Sequence, residues 1–475
     1  MNLHHLVLLI PLLAIPGVLA DGLPDLGEAS QSGFSAQTER RIGEAIMVDV
    51  RHDRSLVDDT ELTDYLNNLG YRLVAASSEN RQDFEFFILR DSTLNAFALP
   101  GGYIGVHTGL ILAAQSESEL AAVLGHEIAH VTQRHLARII AKQEQSAMTS
   151  LAALAVAILA ARSNPQIANA AMATAQATSV QTQLDFTREH EREADRIGLQ
   201  TLTQAGFDPR GAASFFERLQ KFNRLYENNA PEYLRTHPIT SERIADLQNR
   251  LETKPSRQVP DSLEFQLVRA KLRADEGTPQ QAIAHFEEAL REKKYRSEAA
   301  SRYGLAAALL RAKQTTRAEQ ELARLRKVSA PNAIIENLSA LIKTAADPQG
   351  ALGQYQAALK SFPNHRALVY GYTEALLQNR HSGDALKLIG ERLRRFPSDG
   401  RLYELQAQGY AMQGKMLLSH QAQAEAYTRQ GNLVAAIEQL QLGLKAGDGD
   451  FYQLSIAEAR LKALRIQHAE LIKKP

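Results

Sequence analysis

A spacing of 34 residues in the C-terminal half of the chain limits its possible folds more than any other feature. The segments "ALGQYQAALKSFP" (351–363) and "ALKLIGERLRRFP" (385–397) carry Ala, Leu, Leu, Phe and Pro at positions displaced by 34. Ala282 and Ala318 extend the series at nearby spacings, and "LVAAIEQLQLGLKAG" (433–447) ends it. A repeated unit of this length cannot bury its apolar face alone, so neighbouring units must stack.

This register resembles tetratricopeptide repeats and predicts an α-solenoid over residues 263–475, whose concave face would bind a partner. An unrelated helical bundle is the alternative. The proline-containing polar stretch "TKPSRQVPDS" at 253–262 predicts the linker that precedes the solenoid. Because 475 residues suffice for two or three domains, we expect residues 21–252 to form a domain of their own.

Charge and cysteine content exclude several classes of protein. The 54 basic and 54 acidic residues cancel, so we expect no nucleic-acid partner. The chain has no cysteine, which excludes disulfide bonds and restricts any metal site to His, Asp and Glu ligands. Zinc sites built from nitrogen and oxygen ligands are more often catalytic than structural.

The N-terminus predicts export. Residues 1–20, "MNLHHLVLLIPLLAIPGVLA", contain an apolar core at 6–18 that is too short to cross a bilayer and ends in small residues. Prolines inside this core argue against the alternative, a buried N-terminal helix. We therefore expect a signal peptide that is cleaved after Ala20, and a periplasm-like destination.

Between this signal and the linker, the pattern predicts mainly helices with one small β-sheet. Helical spacing covers 35–75, whereas "FEFFILRDSTLNAFALPGGYIGVHTGLI" (84–111) alternates like strands, with a tight turn at its "PGG". The Ala-rich segment 145–184 holds one charge, Arg162. It predicts either a buried helical hairpin or a mobile lid.

The helix that follows the sheet carries a motif with chemical meaning. "GHEIAHV" (125–131) places His126 and His130 four residues apart, so both project from one helix face, with Glu127 about 100° from His126. The helix should begin at "SESEL", where Ser116 or Ser118 can cap it. His135 lies nine residues past His126, and a continuous helix would turn it away towards solvent.

A third metal ligand can come from a later helix. Glu191 and Asp195 in "EREAD" are four apart and share a face, while Glu193 points away. Glu191 could complete a three-ligand zinc site, and Asp195 could hold the outer ring nitrogen of a ligand histidine. His190 is the competing ligand, although that choice would leave Asp195 without a role.

These motifs, HExxH, then ExxAD, with "NAFALPGG" (95–102) upstream, resemble the HtpX and CAAX-prenyl-protease class of gluzincin metallopeptidases. Together with the signal peptide and the repeats, they resemble the periplasmic members that assist β-barrel assembly. The resemblance implies one zinc ion per chain, held by His126, His130 and Glu191, with Glu127 as the catalytic base. Asp195 matches a position usually described as a proton donor, although we favour the orienting role.

The resemblance also implies a substrate site and a gate. Asn95 and Ala96 would belong to an edge strand that pairs with extended substrate. His237, in "RTHPITSERI", would approach the metal, either as a donor to the developing oxyanion or as a fourth ligand that displaces water. The alternative for His237 is a simple His-Pro loop. His107, in "GVHTG", is expected to be a satisfied structural residue.

The function implied is that of a periplasmic zinc endopeptidase that degrades misfolded or stalled outer-membrane proteins. The repeats would dock on the β-barrel assembly machinery or on the substrate, with peripheral membrane association. The alternative is a non-catalytic assembly chaperone or scaffold that acts through its repeats. A retained Glu127 favours the enzyme, because a vestigial site would be expected to lose its base.

Overall fold

A computed structural model describes residues 35–77, 83–141, 187–225, 233–234, 237–252 and 258–473. The predicted signal peptide at 1–20 and the whole of the Ala-rich segment 145–184 fall outside these ranges, as do the first residues of the linker. Within the described ranges, none of the helices combines the length and the apolarity needed to cross a bilayer.

Helices dominate the described chain, and a small sheet interrupts them near residue 100. The elements before the linker are α1 (Ala36–His52), α2 (Thr60–Ala75), β1 (Glu85–Leu89), β2 (Ala96–Leu99), β3 (Tyr103–His107), α3 (Thr108–Ala113), α4 (Glu117–Thr132), α5 (135–141), α6 (187–204), α7 (Arg210–Leu225) and α8 (Ser241–Glu252). Those after it are α9 (Leu263–Asp275), α10 (Pro279–Arg291), α11 (Glu298–Arg311), α12 (Thr315–Val328), α13 (Ala333–Ala346), α14 (Ala351–Ser361), α15 (Arg366–Gln378), α16 (Ser382–Arg395), α17 (Gly400–Met412), α18 (Met416–Arg429), α19 (Leu433–Leu444) and α20 (Phe451–Lys473).

The three strands form a sheet in the order β1-β3-β2, which confirms the predicted small sheet. β1 runs parallel to β3, and β2 runs antiparallel to it. The predicted tight turn joins β2 to β3, with Gly101 and Gly102 at φ of 80° and 88°, where a side chain would be strained. As a result β2 lies at one edge of the sheet, and no strand of the described residues pairs with its outer side.

Helix α4 lies at the centre of the N-terminal half. Ser116 is its N-cap and accepts a hydrogen bond from the Glu119 backbone N–H, as the sequence predicts. The apolar stripe that includes Leu120, Leu124 and Ile128 is buried against α2, α7 and β2. Because its other faces are also buried, α4 is a fixed rod on which its polar side chains are held.

The C-terminal half is a stack of paired helices, as predicted. Helices α15 and α17 begin at Arg366 and Gly400, and α16 and α18 begin at Ser382 and Met416, so each pair is displaced by 34 residues. Each helix packs on the next along the chain. Neighbouring helices, and not distant ones, therefore bury most of the apolar surface.

The two halves share one core across the predicted linker. The Tyr65 ring on α2 and the Phe265 ring on α9 lie with their centroids 6.3 Å apart. The Glu117 carboxylate on α4 accepts hydrogen bonds from the Ser262 backbone N–H and hydroxyl at 3.0 and 2.7 Å, and Ser262 is the N-cap of α9. The first helix of the solenoid is thus joined directly to the first turn of α4.

Candidate metal centre

The site begins where α4 crosses α6. At the crossing Gly125 faces Gly198, and a Cβ on Gly198 would lie only 3.0 Å from the His126 backbone nitrogen. Because neither residue has a side chain, the two backbones approach closely. The Glu191 and Asp195 side chains on α6 therefore reach the histidines of α4.

Four side chains converge on one point from three parts of the chain. His126 and His130 come from α4, Glu191 from α6 and His237 from the segment before α8. One ligand atom from each lies within 4.8 Å of all the others, and only His130 is more than marginally exposed. The structure therefore brings together His126, His130 and Glu191, the three residues that the sequence analysis proposes as ligands.

The spacing of these atoms fits a tetrahedral metal ion. His126 Nε2 lies 3.4 Å from Glu191 Oε2, and His130 Nε2 lies 3.4 Å from Glu191 Oε1. His237 Nδ1 is 3.4 Å from His126 Nε2 and 3.0 Å from Glu191 Oε1. A zinc ion with nitrogen and oxygen ligands at about 2.1 Å holds them about 3.4 Å apart. The four side chains could therefore hold such an ion, with His237 at the fourth corner.

Charged groups surround the ligands. His126 Nδ1 lies 3.0 Å from Asp195 Oδ1, as the spacing of "EREAD" predicts. Burial would raise the pKa of Asp195, but hydrogen bonds from Arg243 and His126 hold it below its usual value. Burial opposes ionisation of Glu191 too, yet hydrogen bonds from the three histidines hold its pKa well below the usual range. Both carboxylates are therefore ionised.

Sequence reasoning missed Arg243, which lies on α8 with 3% of its surface exposed. Its Nε and Nη2 donate to both oxygens of Asp195 at 2.6 and 2.8 Å, and its Nη1 lies 2.9 Å from Glu191 Oε2. A signal was present, since Arg243 lies four residues before Leu247 on the apolar face of an amphipathic helix. An arginine at such a position predicts a buried ion pair.

Glu127 lies beside the four ligand side chains and is 1% exposed. Burial raises its pKa, against the charges of His237 and His126 and a hydrogen bond from the Ala98 backbone. Its Oε1 is 3.5 Å from His237 Nε2. Glu127 therefore faces both the cluster and β2, the position that a proton acceptor for water would need.

Asn95 and Ala96 lie where β2 begins, at the edge of the sheet that faces Glu127. Ala96 is the first residue of the strand, and the Asn95 carbonyl accepts from the His107 backbone N–H at 3.0 Å. The Asn95 Oδ1 atom is buried with no hydrogen-bond partner among the described residues. The Tyr233 backbone N–H donates to the Leu94 carbonyl at 3.2 Å, so the segment leading to His237 is attached just ahead of this strand.

The predicted solvent exposure of His135 is wrong, since only 2% of this residue is exposed. Helix α4 ends at Thr132, and Arg134 adopts a left-handed φ of 52° before α5 begins at His135. This turn brings His135 back beneath His130, where its Nδ1 lies 2.9 Å from His130 Nδ1. The prediction failed because it extended a single helix through the break.

The two remaining histidine predictions concern residues outside the cluster. His190 stacks on His135 with ring centroids 4.2 Å apart, and it is not among the four side chains that could hold a metal. His107 is buried, with Nδ1 2.8 Å from the Thr93 hydroxyl. It is therefore the satisfied structural residue that the sequence predicts.

Comparison with known proteins agrees with this geometry. Residues 61–251 match Peptidase family M48, and residues 273–342 and 344–409 match the tetratricopeptide repeat. The fold and the site thus define a metallopeptidase that carries a tetratricopeptide-repeat array. Within that class, the chain belongs to the family of beta-barrel assembly-enhancing proteases.

The relatives support this assignment over most of the chain. The beta-barrel assembly-enhancing protease of Escherichia coli (strain K12) is 32% identical over 94% of this chain and 92% of its own. The protein of the same name from Yersinia pestis is 31% identical over 88% of this chain and 86% of its own. A mitochondrial metalloendopeptidase, OMA1 of Schizosaccharomyces pombe, is 32% identical over 44% of this chain and 59% of its own.

Proposed function

We propose that this protein is a periplasmic zinc endopeptidase that cleaves misfolded or stalled outer-membrane proteins and assists β-barrel assembly. The convergence of His126, His130 and Glu191 beside a buried Glu127 supports the proposal most directly. The names of its relatives and the signal-like residues 1–20 support the compartment and the substrate class.

Zinc, when bound, supplies a Lewis acid that polarises the scissile carbonyl and makes water more acidic. The protein's own part is to place and move protons. Glu127 takes a proton from the attacking water and delivers it to the leaving amine, which a carboxyl with a raised pKa does well. Asp195, itself held by Arg243, fixes the ring of His126.

The edge strand β2 provides the substrate site. Its outer side lies next to Glu127, so an extended peptide that adds to the sheet there presents its backbone to the reacting groups. In this arrangement Asn95 and Ala96 pair with the substrate backbone. Selection then depends on an exposed, unfolded segment of chain more than on its sequence.

His237 keeps this site closed. Its Nδ1 lies at the fourth corner of the ligand set, which water needs for hydrolysis. The backbone bond from Tyr233 to Leu94 attaches the same segment beside the strand that substrate would join. Substrate entry and departure of His237 are therefore one movement.

The repeats supply the partner surface. A solenoid of this kind offers an extended face for a protein partner, here the β-barrel assembly machinery or the outer-membrane protein in transit. Such a partner would hold the protease peripherally at the membrane.

A casein digestion assay tests the enzymatic proposal. We expect Glu127→Gln to lower the rate about 100-fold or more, because a general base contributes about that much, while zinc affinity stays close to that of the wild type. Removing the metal with a chelator should abolish activity. Glu44→Gln, on the exposed face of α1, is the matched control and should cleave normally.

Two results would contradict the proposal. Cleavage that survives Glu127→Gln removes the mechanism. A wild-type protein that is inert towards every unfolded substrate, yet still supports outer-membrane protein assembly, is a scaffold that acts through its repeats.

A second assay tests the gate. His237→Ala should cleave casein faster than the wild type, because the fourth corner becomes open to water without any movement. His285→Ala, on the repeat helix α10, is the control and should have no effect. A slower His237→Ala variant would instead make His237 a donor to the oxyanion.

A further inference from the structure

We infer that His135 is a positioning residue that fixes the tautomer and orientation of the ligand His130 through a chain of hydrogen bonds ending at Glu193 and Arg138. The inference rests on the proposed metal site and assigns a role to a buried histidine that the mechanism above does not use. His135 touches neither substrate nor the reacting atoms, and it acts only through His130.

The backbone is built to bring the two rings together. The left-handed turn at Arg134 is held by its guanidinium, whose Nε donates to Glu39 Oε1 on α1 at 3.0 Å. Glu39 is itself buried. This contact, 95 residues apart in the chain, turns α5 back under α4. A non-glycine residue with positive φ is uncommon and needs such support.

The hydrogen bonds allow only one arrangement of protons once His130 is a ligand. Its Nε2 faces the cluster and must offer a lone pair, so its proton sits on Nδ1. The facing atom, His135 Nδ1 at 2.9 Å, must then accept. The proton of His135 consequently lies on Nε2, which is 3.1 Å from Glu193 Oε2.

Glu193 completes the chain. Its Oε2 also accepts from Arg138 Nη1 at 2.7 Å, and Arg138 lies one helical turn after His135 on α5. His130 therefore donates to His135, and His135 donates to Glu193. Arg138 donates to Glu193 as well, so each of these donors has an acceptor. Glu193 points away from the metal site, as the sequence predicts, and contacts His135 and Arg138 instead.

The arrangement parallels the support of the other ligand histidine. His126 Nδ1 meets Asp195, which two nitrogens of Arg243 hold in turn. Each ring of the HExxH pair thus leads outward to a carboxylate and then to an arginine. For His130 the path includes one more ring, that of His135, before it reaches the carboxylate of Glu193 on α6.

Packing holds the extra ring in place. His135 is 2% exposed and stacks on His190 with an interplanar angle of 9°. In this packed position a neutral ring can accept through Nδ1 and donate through Nε2, as the two hydrogen bonds of His135 require. A charged ring would have to donate at both nitrogens and would oppose the proton on His130.

Zinc affinity of the full-length protein tests the inference, with a competing chelator setting the free metal concentration. His135→Ala removes the acceptor, and we expect its zinc affinity to fall about 10- to 100-fold. His135→Asn places Oδ1 close to the position of Nδ1, so it should restore the affinity to within about 3-fold. Cobalt-substituted protein adds a spectroscopic readout, because altered ligand geometry changes the d–d bands.

Two further variants guard against loss of folding. His107→Ala removes another buried, hydrogen-bonded histidine that is not attached to a ligand, and its zinc affinity should not change. Glu193→Ala leaves His135 in place but removes the end of the chain. It should weaken zinc binding about 3-fold or more without unfolding the core.

The outcomes separate this inference from the proposed function. A wild-type protein that binds no zinc overturns both. Tight binding by the wild type and by His135→Ala alike overturns only the role of His135. If His135→Asn is as weak as His135→Ala, the hydrogen bond is not what His135 contributes, and the inference is also wrong.

Discussion

At the scale of single residues, the proposed ligand His126 lies between two ionised carboxylates. Burial acts to lower its pKa, but the hydrogen bonds and charges of Asp195 and Glu191 raise it to about 10. The metal-free ring is therefore protonated at neutral pH. His130 differs, because burial lowers its pKa to about 4 and leaves it neutral.

This difference predicts the pH dependence of metal binding. A ligand nitrogen must be free of its proton, so zinc binding should release one proton from His126 at any pH between about 5 and 9. Affinity should accordingly rise about 10-fold for each pH unit in that window. Calorimetry in two buffers with different ionisation enthalpies counts the protons. Asp195→Asn is the control and should release fewer, and zero protons from the wild type would contradict the prediction.

The sequence predicts the inner residues of the site better than the outer ones. His126, Glu127, His130, Glu191 and Asp195 follow from spacing on two helices, since residues four apart share a face. Arg243 and His135 do not follow, because each depends on contacts between distant segments. The turn that positions His135 is supported by the contact of Arg134 with Glu39 on another helix.

At the scale of secondary-structure elements, the crossing of α4 and α6 determines whether a site can form. The Gly198 Cα–H faces the backbone at Gly125, and an added Cβ would lie 3.1 Å from the Gly125 carbonyl oxygen. No side chain can move aside there, because the neighbouring atoms are backbone. The helices would have to separate.

Gly198→Ala should therefore weaken zinc binding more than it weakens the fold. Crowding in a packed region costs about 1–3 kcal/mol, and the better helix propensity of Ala offsets about 1 kcal/mol of that. Metal affinity has no such offset, because Glu191 and Asp195 move away from His126. Denaturant unfolding and zinc competition measure the two effects.

The matched control is Gly353→Ala. Gly353 lies in α14, and an added Cβ would have no neighbour within 4 Å. This variant should be as stable as the wild type or slightly more so. If Gly198→Ala behaved in the same way, the close approach of the helices would not be needed for the site.

At the scale of the whole molecule, a buried ion pair joins the two halves. Lys271 Nζ on α9 lies 2.6 Å from both Glu61 Oε2 on α2 and Asp59 Oδ2 at its N-cap. Glu61 is 4% exposed and also accepts from Asn337 on α13 at 3.0 Å. Burial raises the pKa of Glu61, and the charge of Lys271 opposes that shift.

Lys271→Met should destabilise the protein by about 3 kcal/mol at pH 7, because it leaves the Glu61 carboxylate buried without its cation. Loss of the cation raises the pKa of Glu61 further. A raised carboxyl pKa favours the folded state while the group is protonated, so the deficit should shrink as the pH falls. Unfolding followed by circular dichroism at pH 7 and pH 5 measures this change.

Two variants control this prediction. Lys294→Met removes a lysine that is 79% exposed and should change stability little. Adding Glu61→Gln to Lys271→Met should recover much of the loss, since the buried charge is gone. An equal loss at both pH values would show that packing, and not charge, is what Lys271 contributes.

The division into a catalytic half and a repeat half could be predicted from the sequence, but not how firmly the halves pack. The 34-residue register and the HExxH motif identify the two parts separately. The contact from Glu117 to Ser262 and the ring pair of Tyr65 and Phe265 span the linker and have no local signal. Contacts of this kind depend on the folded surfaces of both partners.

The shared core across the linker has a consequence for whether the two halves of this chain can be separated. Because the contact between the two halves is packed like a protein interior, the repeats cannot be replaced without disturbing the peptidase half. A peptidase half that was separated from the repeats at 253–262 would expose Tyr65 and Glu117 to water. The newly exposed surface would lie beside α4, the helix that carries the HExxH motif. The two halves of this chain should therefore unfold together, as one cooperative unit.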